Sequence, residues 1–208
     1  MAKHSGVLAL PLRAKIPADF RCDIEVWPIS RTNGPDGTLS PFFLGPCTTP
    51  DGIEFQNMEN MWQYSKVYPH LGHVHTRGEL AGLPNSKWFD WHHKGAESVV
   101  AHRYPAGKGA VPAYSLWNGQ CLSYIVARKL VYIPEYAKLA CRTPRFIELR
   151  REHARGANIV IRDFDVYSIW NTGTTLMEVF SRQQRAGHGF VLAAMLAHGP
   201  HFYRTLIA

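Results

Sequence analysis

Glu59, Gln63 and Lys66 stand at i, i+4 and i+7, so a helix would set a carboxylate, an amide and an ammonium in a row along one face. Charges in such a row are most simply an exposed salt-bridging face. Glu59 also lies just ahead of the apolar pair Met61–Trp62, where partial burial would raise a carboxyl toward the range useful for acid–base work. Two more carboxylates, Asp163 and Asp165, are expected at the exit of the short β-branched run Asn158–Ile161, which reads as a buried strand.

Other reactive types carry less. Eleven histidines are many for this length, but His92-His93 diverge on either a helix or a strand. His73-x-His75 shares one strand face without a third ligand at set spacing, so surface or core imidazoles are expected and no metal. Cys22, Cys47, Cys121 and Cys141 are scattered without a CxxC, which excludes a disulfide framework or zinc knuckle and points to a reducing compartment. Cys121 falls near an expected helix start, where a thiolate would be stabilised; a small buried hydrophobe is the competing reading. Gly107-Lys108-Gly109 lacks P-loop spacing and reads as a surface loop.

The elements that must hold these groups follow from punctuation and periodicity. Asp23–Ile29 alternates as one strand, and Arg31–Thr38 is a loop. Pro41, Pro46 and Pro50 forbid a helix over 39–55, and the Asp51-Gly52 turn before Ile53–Phe55 predicts a small hairpin. Asn57 caps a helix that closes before Pro69. Further helices are expected near Trp88–Val100, over Leu116–Tyr132, over Pro144–Ala154 and over Phe190–Ala197 after the Gly187-His188-Gly189 breaker. The expected fold class is α+β, a mainly helical single domain over residues 1–208 with a few short strands packed on one side, in which 1–38 form an N-terminal extension.

With 46% hydrophobic residues the chain can build a core, and its 12% aromatic fraction suits a thick core or a pocket that stacks planar ligands. The formal charge of +7 favours an anionic partner. Arg142, Arg145, Arg150, Arg151, Arg155 and Arg162 are spread as on a solvated helical face rather than gathered in a tail. Gly6–Leu12 is too short and Pro-interrupted for a signal h-region, and no segment reaches the length of a membrane span, so a soluble cytoplasmic protein with no membrane partner is expected.

The segment Leu39–Tyr68, LSPFFLGPCTTPDGIEFQNMENMWQYSKVY, resembles the opening of the NADAR family. There, a strand and a DG turn lead into a helix bearing E-H-x-x-Q-x-x-K. Glu59, Gln63 and Lys66 match that helix while Asn60 replaces its His; Ser40, Phe43, Pro46, Asp51 and Gly52 match upstream, and Pro41 replaces an Asn. Farther on, Trp117 and Cys121–Leu130 resemble the family's lysine-bearing helix with Lys129 at the lysine, and Pro134–Leu149 resembles the following helical pair. Asn158–Ile161 with Asp163 and Asp165 occupies the position of its strand and aspartate, with Tyr167 and Ser168 in place of a WG, over a resemblance that spans 39–200.

The resemblance implies a NADAR-like fold and cleavage of an N-glycosidic bond between a ribose phosphate and a base or amine. Such cleavage builds positive charge on the ribose, so one carboxylate facing C1′ would stabilise it and a second would activate water. Glu59 and Asp165 are the candidates for these roles, with Asp163 the alternative to Asp165. Lys66 and Arg128 would hold phosphate oxygens, Trp117 or Phe43 would stack the base, and Gln63 and Lys129 complete the expected substrate contacts. The expected partner is an anionic nucleotide-like small molecule, without a cofactor. Two alternatives remain: a base-removing or base-modifying enzyme acting on nucleic acid, and a nucleotide- or ADP-ribose-binding module without turnover. Oligomeric state is left open.

Overall fold

The computed structural model describes residues 6–207, so the ends of the expected extension and domain, residues 1–5 and 208, lie outside the described residues. Along the chain the elements are β1 (Val7–Pro11), β2 (Ile24–Val26), a 3-10 turn over Pro35–Leu39, β3 (Cys47–Thr48), β4 (Glu54–Phe55), α1 (Met58–Tyr64) and β5 (Lys66–Val67). A 3-10 turn over Pro69–Leu71, α2 (Ser86–Glu97), β6 (Tyr114–Trp117), β7 (Gln120–Leu122) and α3 (Tyr124–Ala127) follow, the last running on as a π-helical stretch over Arg128–Tyr132. Then come α4 (Ile133–Ala140), α5 (Pro144–Ala154), β8 (Ile159–Asp163), α6 (Leu176–Val179), α7 (His188–His198) and a last 3-10 turn over Phe202–Leu206. This is an α+β architecture with more helix than strand, and its strands lie in three small sheets. No helix among the described residues is long and apolar enough to cross a membrane. The chain divides into two compact units, Met1–Leu44 with Ile133–Ala208, and Gly45–Tyr132.

In the first unit β8 is the middle of a parallel sheet ordered β1-β8-β2. All five of its residues are buried, as expected of a strand covered on both faces. Val160 faces Leu8, Leu10 and Phe20, with Trp170 packed against them. The opposite face is covered by α7, whose residues Gly189–Leu196 are all buried and which packs on β1 and β8. The Val7–Pro11 strand is absent from the sequence expectation, and the Asp23–Ile29 strand is shorter than expected. α5 occupies the expected residues because Thr143 caps it, accepting from Phe146 N at 3.2 Å, and Pro144 takes the first helical position.

In the second unit the Asp51-Gly52 turn closes the expected β3–β4 hairpin, with Gly52 at φ 87°. The helix expected over Leu116–Tyr132 is corrected. Its first residues form the β6–β7 hairpin, turned by Asn118 and Gly119 at φ 49° and 71°, a pairing that two-residue hairpin loops favour. Of the apolar residues spaced for that helix, Val126 and Leu130 are exposed.

Candidate functional site

α1 is short and nearly enclosed: every residue from Met58 to Tyr64 except Gln63 is buried. Asn57 starts it by accepting from Asn60 N at 2.9 Å, and Ser65 Oγ donates to the Trp62 carbonyl at its end. Glu59 is therefore buried, 6% exposed, and the exposed salt-bridging face is excluded for this carboxylate. Lys66 is not on the helix, as the i+7 spacing expects, but opens β5, where it pairs with Ser115 of β6.

Its ammonium nonetheless reaches back. Lys66 Nζ donates to Gln63 Oε1 at 2.6 Å, and Gln63 Nε2 donates to Glu59 Oε1 at 2.8 Å. An ammonium can only donate, so the Gln63 oxygen must face Lys66 and its NH₂ must face the carboxylate. Lys66 thereby sets the orientation of the amide that holds Glu59. The same ammonium sits 4.8 Å from the Trp62 ring centroid, and Trp62 meets Tyr132 of the π-helical stretch at 5.0 Å. A single helical residue inserted into a turn is how such a stretch re-aims side chains, and it recurs at functional sites. Trp62 and Tyr132 are absent from the sequence candidates; nothing in their spacing marks them.

The remaining candidates fall as follows. Trp117 is half-buried on β6, and with Ser115 it shares the sheet face that carries Lys66, because residues two apart on a strand point the same way. Arg128 is 1% exposed, its guanidinium 4.4 Å from the Tyr124 ring centroid, while Lys129 is half-buried. Phe43 belongs to the first unit and is exposed. Cys121 lies exposed on β7, two residues ahead of Ser123, from which α3 starts, so the buried small hydrophobe is corrected.

Asn60, at the resemblance's histidine, is fully buried and has a structural duty. Its Nδ2 donates to the Ser98 and Val100 carbonyls at 3.0 and 2.8 Å, and its Oδ1 accepts from His102 N at 2.8 Å. Asn60→Ala is expected to cost about 3 kcal/mol, from three lost bonds only partly replaced by water, and urea unfolding checks it.

The two aspartates have different environments within the first unit. Asp163 is the last residue of β8 rather than a residue beyond it, and is 2% exposed. Its Oδ1 accepts from Phe164 N at 2.6 Å, and its Oδ2 accepts from Gly189 N at 2.9 Å in the first turn of α7. That is the favourable end of a helix for a carboxylate. His188 Nδ1 lies 3.5 Å from the same oxygen, and its Nε2 faces the Pro28 carbonyl at 2.5 Å. Gly187 N donates to the Asp165 carbonyl at 2.8 Å. A Cβ on Gly187 would stand 2.4 Å from Asp163 Oδ2, and one on Gly189 2.6 Å from Asp163 Cβ, which explains the glycines that flank His188. Asp163 thus ties strand to helix, whereas Asp165 is only half-buried. Tyr136 packs on His188 and donates to the Leu39 carbonyl at 2.8 Å; burial first, and then Asp163, pushes its phenol well above the ordinary range. Arg162 points to the other sheet face and is buried against Glu25 and the Pro11 and Ala14 carbonyls, so it does not belong to the expected solvated arginine face.

Of the histidines in the second unit, His73 and His92 are buried core groups, His75 and His102 are half-buried, and His70 and His93 are exposed. His92 stacks on Trp88 at 4.7 Å with its Nδ1 facing the Tyr64 carbonyl at 3.0 Å, and His73 Nδ1 accepts from Tyr68 N at 3.3 Å. Burial lowers both from the ordinary 6.5, and His70 lowers His73 further. The folded state therefore binds fewer protons than the unfolded one in the range just below 6.5. Stability should be fully present above pH 6.5 and fall as the pH drops below it, and His92→Phe should flatten that loss in a thermal melt series. No group of three or more His, Cys, Asp or Glu among the described residues is placed to hold a metal ion.

Comparison of the chain with protein-family models, curated proteins and solved structures returns no match.

Proposed function

We propose that the protein is an N-glycosidase that cleaves a ribose–base or ribose–amine bond in a nucleotide-like or ADP-ribosylated substrate, with Glu59 as its catalytic carboxylate. The observation that carries this reading is the hydrogen-bonded chain Lys66–Gln63–Glu59, which holds a buried acid in one orientation instead of leaving it on a solvated face. Glycosidic cleavage leaves positive charge on the ribose ring, and a fixed carboxylate in a low-dielectric setting stabilises that charge without having to reorganise. Trp62 and Tyr132 supply aromatic surface beside Lys66, and Trp117 lies on the same sheet face as Lys66, which suits a planar base next to phosphate oxygens. The resemblance of Leu39–Tyr68 to the NADAR family supports the same chemistry, although Asn60 stands in place of the family's histidine and serves the fold here.

The test is release of base from ADP-ribosylated nucleosides and from pyrimidine ribose-phosphate intermediates by the wild-type protein and by Glu59→Gln. A nucleic-acid substrate is the second reading, favoured by the formal charge of +7. It requires binding to single-stranded DNA or RNA that weakens steeply with salt; salt-insensitive or undetectable binding rejects it.

A further inference from the structure

Within the first unit, α5 carries Ile147, Arg150, Arg151 and Ala154 at i, i+3, i+4 and i+7, and so on one face. That face borders a groove of about 450 Å³ that is also lined by the buried Phe146 and by Pro200, beyond the end of α7. The volume is in the range of small-molecule sites. Its lining is apolar apart from Arg150, Arg151 and the thiol of Cys141, and no carboxylate is among the lining residues described.

The arginines of this helix divide into two kinds. Arg145 pairs with Asp36 and Glu148, and Arg155 at the helix end pairs with Glu152. The Arg150 and Arg151 side chains have no hydrogen-bond or ion-pair partner among the described residues, although they flank the apolar recess. A position near a helix C-terminus favours positive charge. It does not account for two unpaired guanidinium forks at the edge of an apolar groove with no acid in its lining, while their neighbours on the same helix are paired.

We infer that this groove binds a small anionic amphiphile, its carboxylate or phosphate head held by Arg150 and Arg151 and its apolar body laid over Phe146 and Ile147. Planar guanidinium groups match either head through paired N–H donors, and the net charge of the chain draws anions toward it. This site is independent of the proposed glycosidase chemistry, which rests on residues of the other unit.

Cys141 provides the readout. Its partly exposed thiol lines the groove, whereas Cys121 is exposed in the second unit and serves as an internal control. The full chain is treated with iodoacetamide, and alkylation of each cysteine is followed by mass spectrometry with octanoate, octyl phosphate, octanol or acetate present. Octanoate or octyl phosphate is expected to slow alkylation of Cys141 about tenfold at ten times its Kd while leaving Cys121 unchanged. Which of the two protects better identifies the head group. An Arg150→Glu, Arg151→Glu variant, altered only at exposed positions, should lose that protection. Equal protection by octanol would show that the arginines contribute nothing, equal protection by acetate that the apolar floor contributes nothing, and no protection by any probe that the groove is not a site; each result overturns the inference.

Discussion

Glu59→Gln is expected to fold and to lose about 10²–10⁴ in the rate of N-glycosidic cleavage. The substitution is nearly isosteric, and the new amide keeps an oxygen that can accept from Gln63 Nε2, so the hydrogen-bonded chain from Lys66 survives. Only the negative charge is removed, and that charge is what the proposed chemistry uses. The companion variant Gln63→Leu keeps Glu59 charged but leaves both neighbours without their amide link, and it should lower kcat more than it raises KM. Release by Glu59→Gln at the wild-type rate would refute the assignment, provided that circular dichroism shows the fold unchanged.

Gly95→Ala should destabilise the second unit by about 3 kcal/mol, although alanine in a helix interior is ordinarily the better residue by up to about 1 kcal/mol. Gly95 lies within α2, where that helix packs on α1. A Cβ there would stand 2.2 Å from Tyr64 Cγ, 2.5 Å from its Cδ2 and 2.6 Å from its Cβ. Tyr64 has little room to yield, since its ring also contacts Trp91 at 4.6 Å and it is only 4% exposed. Either the helices separate or Tyr64 leaves its place, and because α1 carries Glu59 the proposed activity should fall with stability. Urea denaturation measures the effect; an unchanged or raised midpoint would mean that α1 and α2 do not approach as described.

The elements that sequence reasoning placed well share a cause: their signals act over a few residues. Thr143-Pro144 starts α5, Asn57 caps α1, and Asp51-Gly52 turns the β3–β4 hairpin, each by a bond or backbone preference that needs no distant partner. The helix expected over Leu116–Tyr132 is helical from Tyr124 to Tyr132, and its missed first residues belong with these as a local signal passed over. Asn118-Gly119 is as strong a hairpin turn as Asp51-Gly52, but the helical spacing of Leu122, Ile125, Val126 and Leu130 concealed it. The strand at Val7–Pro11 had no turn of its own to announce it and forms because β8, far along the chain, offers a parallel partner.

The candidate site divides along the same line. The presence of an acid, an amide and an ammonium at Glu59, Gln63 and Lys66 is a property of the chain, as are its net positive charge and its supply of aromatic groups. That Glu59 is enclosed, that Lys66 leaves the helix yet reaches back to Gln63, and that Asp163 is spent on the first turn of α7, were decided by packing. Burial depends on which distant segments cover a side chain, as the loop Ser98–His102 covers Asn60, and on which strand pairs with which, as Ser115 with Lys66. Such contacts are made only when the whole chain has collapsed, and spacing along one segment carries no record of them.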